Sequence, residues 1–194
     1  SDVTIGLYIE SITVLSDGSI IVSGEHQNPL STSLPNVGED FFMAKLTPTG
    51  NLLWLKTFHS LMSPGCNVSN IRYSWTAEGA NGDLYVGATI PNCPLPRYLL
   101  VFKLDNAGNL IWQYNFTGHF TESYCMGIFY EGATITVVNR GVGTGQLSSS
   151  VDFVKLDATT GNYISHKSWE PDLPYPDNFY ASYLNWTPTV IKLI

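Results

Sequence analysis

Short apolar runs, many alternating with polar residues, are punctuated by turn formers along most of the chain. From Glu10 the order is Ser11-Ile12-Thr13-Val14-Leu15-Ser16, then Asp17-Gly18, then Ser19-Ile20-Ile21-Val22-Ser23-Gly24. Asp-Gly between two β-rich runs predicts a hairpin, because both central turn positions need a positive φ that these residues tolerate. A polar loop with Pro29, Pro35 and Gly38 follows. Phe41 to Leu46, a turn at Thr47 to Gly50, and Leu52 to Phe58 then complete four strands in up-and-down order. Helical periodicity is absent and β-branched and aromatic residues dominate the runs, so no helix is predicted.

The same order returns twice. Ile71 to Thr76, a tight turn at Asn81-Gly82, Asp83 to Ala88, Tyr98 to Leu104 and Leu110 to Phe116 make a second unit. Ser123 to Tyr130, Glu131-Gly132, Thr134 to Asn139, Val151 to Leu156 and Tyr163 to Trp169 make a third. One phrase marks all three: Ala44 to Trp54, Phe102 to Trp112 and, one residue longer, Val154 to Ile164. Lys45, Lys103 and Lys155 are spaced 58 and 52 residues apart, and the variation falls in loops, where repeat proteins tolerate insertion. Four-stranded units of this period suit propeller blades. The expected fold is all-β: a β-propeller-like array of four-stranded antiparallel blades, three full units plus a partial fourth. The units span 10–59, 60–118 and 119–169.

Facing residues explain why the units need each other. Phe41–Leu46, Leu99–Leu104 and Val151–Leu156 are mainly apolar on both faces. A sheet with one solvated face alternates apolar with polar, whereas a sheet stacked between two others need not. Trp54 and Phe58, Trp112 and Phe116, and Ser165 and Trp169 hold corresponding places on one face of the fourth strand. They are expected to fill space between neighbouring blades.

The ends differ. Residues 1–9 contain an extra β-like run, Val3 to Ile9, that is expected to complete another blade. Residues 170–194 hold a Pro-rich connector, then Phe179 to Trp186 and Thr189 to Ile194 as two strands of a fourth unit. Three blades do not close a ring that typically needs four to eight. Three solutions remain open: the termini meet, the chain belongs to a longer one, or neighbouring subunits supply strands. Unpaired edges invite pairing with other chains, so a homo-oligomer or polymer through the terminal strands is expected.

Composition narrows the partners. The 194 residues carry a net charge of −7 with no basic run, which disfavours nucleic acid and anionic membranes. No apolar run is long enough to span a bilayer. The first residue is Ser1, as in a processed or trimmed chain. Asn67-Val68-Ser69, Asn115-Phe116-Thr117 and Asn185-Trp186-Thr187 fit the N-glycosylation pattern. Cys66 and Cys93 sit among turn formers and are expected to form a disulfide, leaving Cys125 as a buried thiol in a strand. Together these features predict an extracellular or cell-surface glycoprotein.

The residues also carry a family likeness. Asp17 to Gly24 followed by Ala44-Lys45-Leu46, Gly50-Asn51 and Trp54 resembles the SBBP-type β-propeller repeats of secreted and cell-surface proteins. Asn81 to Gly87 with Lys103-Leu104-Asp105, Gly108-Asn109 and Trp112 matches as well. Leu156 to Gly161 is similar to the repeats of pyrroloquinoline-quinone dehydrogenase propellers. The resemblance implies scaffolding, adhesion or display outside the cell, and the incomplete fourth unit departs from any closed member.

Catalytic chemistry is sparse. Asp105 and Asp157 occupy corresponding turns, where Asp bonds its own backbone. His26, His59, His119 and His166 lack metal-ligand spacing, and Gly141 to Gly145 lacks the lysine and helix of a phosphate loop. No catalytic residue, cofactor or metal site is predicted. Tyr163, Tyr175, Phe179, Tyr180 and Tyr183 are the candidate sugar-stacking surface. The expected function is an extracellular structural or interaction scaffold, such as a glycosylated fibre or surface-assembly subunit. The alternatives are a glycan- or ligand-binding module and a fragment of a secreted quinone-dependent dehydrogenase.

Overall fold

The computed structural model describes residues 7–27, 39–58, 71–90, 98–116, 122–142 and 149–169. They form three four-stranded sheets, each antiparallel throughout and each ordered as in the chain. The first sheet holds β1 (Leu7–Val14), β2 (Ile20–Gln27), β3 (Glu39–Leu46) and β4 (Leu52–Phe58). The middle sheet holds β5 (Arg72–Glu78), β6 (Leu84–Ile90), β7 (Tyr98–Leu104) and β8 (Leu110–Phe116). The third holds β9 (Glu122–Tyr130), β10 (Thr134–Val142), β11 (Ser149–Asp157) and β12 (Tyr163–Trp169). A 3-10 turn at Ala80–Gly82 is the sole helical element among the described residues.

The first strand begins earlier than the alternation suggests. Leu7 to Ile9 opens β1, pairing with His26 to Gly24, and is not a separate run. A register shift between Ile9 and Ser11 splits the run, which hides its continuity from a period-two reading. Residues 1–6 and 170–194, with the partial fourth unit, lie outside the described residues.

The Asp17-Gly18 hairpin differs from expectation: Gly18 has a positive φ of 80°, but Asp17 does not, and the Gly18 amide closes the turn on the Leu15 carbonyl. Asn81 and Gly82 both adopt positive φ, 61° and 76°, which the tight turn before β6 requires. In each sheet the third and fourth strands share one irregularity, at Lys45/Leu46, Lys103/Leu104 and Lys155/Leu156. This shift sets each lysine opposite Trp54, Trp112 or Ser165.

The sheets stack in chain order. β5 lies against β1 and β2, and β9 against β5, β6 and β7. One apolar layer joins the first and middle sheets: Ile21, Phe41, Met43 and Phe58 meet Leu84, Val86, Leu100, Phe102 and Leu104. The Phe41, Phe58 and Phe102 rings form a trio with centroids 5.7–6.1 Å apart. A second layer joins the middle and third sheets: Tyr85, Leu99 and Val101 meet Cys125, Ile135, Val137, Val154 and Leu156. Alternate residues of β7 therefore enter different layers. That is why its sequence is apolar without a break, and why β6 is buried along its whole length.

Candidate functional site

Each sheet carries an ion pair between the lysine of its third strand and an acid from the turn joining its first two strands. The distances are 3.7 Å for Lys45–Asp17, 2.7 Å for Lys103–Asp83 and 2.9 Å for Lys155–Glu131. Lys45 and Lys103 are buried because they point at the next sheet. Lys45 Nζ donates to Asn106 Oδ1 of the middle sheet at 2.6 Å. Lys103 lies 5.2 Å from the Tyr85 ring centroid, and the Tyr85 hydroxyl donates to the Ala158 carbonyl of the third sheet at 3.0 Å. Burial acts to lower the Lys103 pKa, but its hydrogen bonds to Asp83 and Tyr85 outweigh burial and hold it above the ordinary lysine value. Lys155 lies on the far face of the third sheet and is only half-buried.

A second device repeats beside the lysines. Trp54 Nε1 donates to the Asn106 carbonyl at 3.0 Å, and the Trp54 ring lies against Gly108. A Cβ at Gly108 would stand 3.2 Å from that ring. Trp112 covers Gly161 of the third sheet even more closely, at 2.6 Å from where a Cβ would be. The tryptophan of one sheet thus closes over the hairpin glycine of the next. Both glycines have positive φ, so glycine is required there twice over. Among the described residues the device is incomplete on the two outer sheets. Ser165 stands opposite Lys155 where the other sheets have tryptophan, and Gly50 of the first sheet has no atom within 4 Å of its notional Cβ.

Polar residues concentrate between the sheets away from these hairpins. Ser23 Oγ lies 2.9 Å from Ser11 Oγ and 2.8 Å from Ser74 Oγ, tying the first sheet to the middle one. The Cys125 amide donates to Thr89 Oγ1 at 2.7 Å, tying the middle sheet to the third. Asp152, fully buried, lies 3.1 Å from His166 Nε2 and accepts from Ser150 Oγ at 3.2 Å and Asn139 Nδ2 at 3.4 Å. Phe116 packs on the His166 ring at 5.3 Å. The serine hydroxyl is engaged with the carboxylate here. A nucleophilic relay instead needs the imidazole to take the hydroxyl proton. The cluster acts as polar packing.

The residues singled out from sequence are dispersed. Asn115 sits half-buried on β8, and Tyr163 opens β12 with 50% of its surface exposed. Asn67, Asn185, Cys66, Cys93, Tyr175, Phe179, Tyr180 and Tyr183 lie outside the described residues. Cys125 is a buried free thiol whose pKa burial pushes up to about 12. Asp105 accepts from the Ala107 and Asn109 amides at 2.9 and 2.8 Å, and Asp157 from those of Thr159 and Thr160 at 2.9 and 2.8 Å. Hydrogen bonds from Asn109 and Thr160 respectively hold both carboxyls below the usual range. Among the described residues no group of three or more His, Cys, Asp or Glu could hold a metal ion, and no helix is long and apolar enough to cross a membrane. Sequence reasoning missed the Asp152 cluster and the Trp–Gly contacts. The signal for the first was Ser150 and Asp152 alternating with apolar residues in β11.

No protein-family model matches the chain, and no curated protein matches it. Among solved structures it is similar to a protein from Bacteroides ovatus described as a putative hydrolase, with 12% identity and a TM-score of 0.40 over 84% of this chain and 45% of that one. It is also similar to a tail fiber of a Staphylococcus aureus phage, with 14% identity and a TM-score of 0.29 over 88% of this chain and 40% of the other. The chain thus spans less than half the length of either protein. At these TM-scores neither likeness bears on its fold or function.

Proposed function

We propose that the chain is an extracellular structural or interaction scaffold: three consecutive blades of a β-propeller-type array, of the kind its repeats resemble, that associates through its outer sheets. The observation that carries this reading is the repeated joint, in which Trp54 closes over Gly108 and Trp112 over Gly161. A joint used twice in one direction makes a modular stack, and such a stack needs a polar outer face on its terminal repeats to stay soluble. Ile12 and Val14, 64% and 69% exposed, stand on the outer face of the first sheet beside Ile20 and Val22 of β2. Exposed apolar faces of this kind mark association surfaces.

Light scattering on the whole chain across a concentration series tests the assembly. Mass rising above that of one chain is expected, as discrete oligomers or filaments. A constant single-chain mass would remove self-assembly from the proposal. Expression through a secretory host tests the compartment. Added glycan mass, lost on substituting Asn67, Asn115 and Asn185 by Gln, is expected, and an unmodified mass would overturn the extracellular assignment.

A further inference from the structure

We infer that the first strands of the three sheets together form a binding site for a neutral saccharide, centred on the Tyr73 ring. Glu10, Tyr124 and Arg140 surround that ring. The site is separate from Tyr163, which lies on β12 at the opposite edge of the third sheet from β9.

The first strand of each sheet carries one register break. Glu10 is extra in β1 and Met126 in β9, while Tyr73 and Ser74 of β5 share one partner position. The breaks fall one step past Ser23, Gly87 and Val138. Those three residues are equivalent, since Ile20, Leu84 and Ile135, three places before them, pair with Leu46, Leu104 and Leu156. Glu10, Tyr73 and Met126 are all exposed, the last two at 42% and 46%. A bulge re-aims side chains. It also keeps a further strand from pairing along the edge, so a partner here meets side chains rather than backbone.

The break in β5 is the most distorted. Tyr73 has a φ of 54°, in the left-handed region that bulky residues avoid. Asn81 is the one other non-glycine residue with positive φ among the described residues, and its tight turn requires it. Ser74 Oγ, buried beside Tyr73, lies 2.8 Å from Ser23 Oγ and anchors the bulge to the first sheet. The Tyr73 ring belongs to neither apolar layer. Backbone strain of this kind clusters at ligand clamps.

All three sheets meet at this residue. The Tyr73 amide donates to Glu10 Oε2 of the first sheet at 3.4 Å. The Tyr124 ring of the third sheet meets the Tyr73 ring edge to face, with centroids 5.6 Å apart. Arg140, paired with Tyr124 in the register, has Cζ 5.9 Å from the Tyr124 centroid. Trp75, 48% exposed, follows on β5. Aromatic rings thus stand between a carboxylate and a guanidinium.

That combination selects the ligand. Tyrosine and tryptophan suit partners that are apolar on one side and wet on the other, as the C–H face of a sugar is. Glu10 accepts from hydroxyl groups and Arg140 donates to them. An anion meets repulsion from Glu10 and a cation from Arg140. An apolar ligand leaves both charges without partners.

The test is binding of the whole chain to immobilised neutral, sialylated and sulfated oligosaccharides, followed by titration in solution with the neutral oligosaccharide bound best. Tyr73→Gly removes the ring and suits the positive φ, so the fold is kept. Glu10→Gln, at an exposed position, is the second variant. Each is expected to raise Kd about tenfold or more, whereas Tyr163→Ala leaves it unchanged. Binding confined to sialylated or sulfated glycans would overturn the inference. So would no binding, or binding that either variant leaves intact. None of these results depends on the mass in solution, so the scaffold reading stands or falls separately.

Discussion

The middle and third sheets are built from the same phrase yet sit in different surroundings. In the middle sheet every residue of β6 is buried and β7 feeds two apolar layers. In β11 of the third sheet, burial alternates: Asp152, Val154 and Leu156 are buried, while Val151, Phe153 and Lys155 are half-buried. The lysines make the contrast concrete. Lys103 is 8% exposed and Lys155 is half-buried, although each pairs with an acid from the corresponding turn of its own sheet. Strand pairing within each sheet makes the ion pair. The neighbouring sheet decides whether that pair is buried.

Four measurements break or sharpen the contrast, each read as a shift in chemical unfolding. Phe102→Ala empties the centre of the aromatic trio and is expected to cost about 3–5 kcal/mol. Leu55→Ala, on the exposed edge strand, is expected to stay within about 0.5 kcal/mol. Equal losses would show that the layer between the first and middle sheets is not the core.

Gly161→Ala and Gly50→Ala both force an L residue into positive φ, at about 1–2 kcal/mol each. Only Gly161 also meets a tryptophan, and overpacking adds about 1–3 kcal/mol there. Matching penalties at the two sites would refute the Trp112 contact.

Asp83→Asn leaves the Lys103 charge buried without its acid and is expected to cost about 2 kcal/mol, less than a fully buried pair because Asp83 is partly exposed. Glu131→Gln, on the open face, is expected to cost about 1 kcal/mol or less. A reversed order would mean that burial does not separate the two pairs.

The smallest effects are in pH dependence. The folded pKa of Lys103 is raised, so its contribution is complete below the ordinary lysine value of 10.5 and is lost as pH rises through the folded value. Asp83→Asn should flatten that alkaline limb. Asp105 and Asp157 are lowered, so their contributions are complete above 3.8 and are lost as pH falls through the folded values. Asp105→Asn should flatten the acid limb, whereas Thr47→Ala should not, since the first sheet's turn has no carboxyl at that place. An acid limb unchanged by Asp105→Asn would remove the turn carboxylates as its cause.

Much of the architecture was legible because it rests on local chemistry. Asp17-Gly18 and Asn81-Gly82 turn the chain through backbone preferences that no neighbour has to enforce. The unbroken apolar run of β7 announced a sheet covered twice. The candidate surface was less legible. Tyr163 was noted because it is aromatic, whereas Gly108 and Gly161 were read only as turn residues. A glycine that accepts a ring looks the same in sequence as one that merely turns. The Asp152, His166, Ser150 and Asn139 cluster was hidden as well, because its members come from three strands and only their pairing register brings them together.

By itself the sequence determined the strands, most of their turns and the three-fold repetition, since each depends on residues close in the chain or on side-chain alternation. Tertiary structure alone decided which face of each sheet is covered. It set Trp54 over Gly108 and Trp112 over Gly161 and left Gly50 open, although all three glycines share one conformation. The physical reason is that backbone conformation is selected by steric limits within a few residues, whereas burial is a property of the neighbouring sheet, which is distant in the chain.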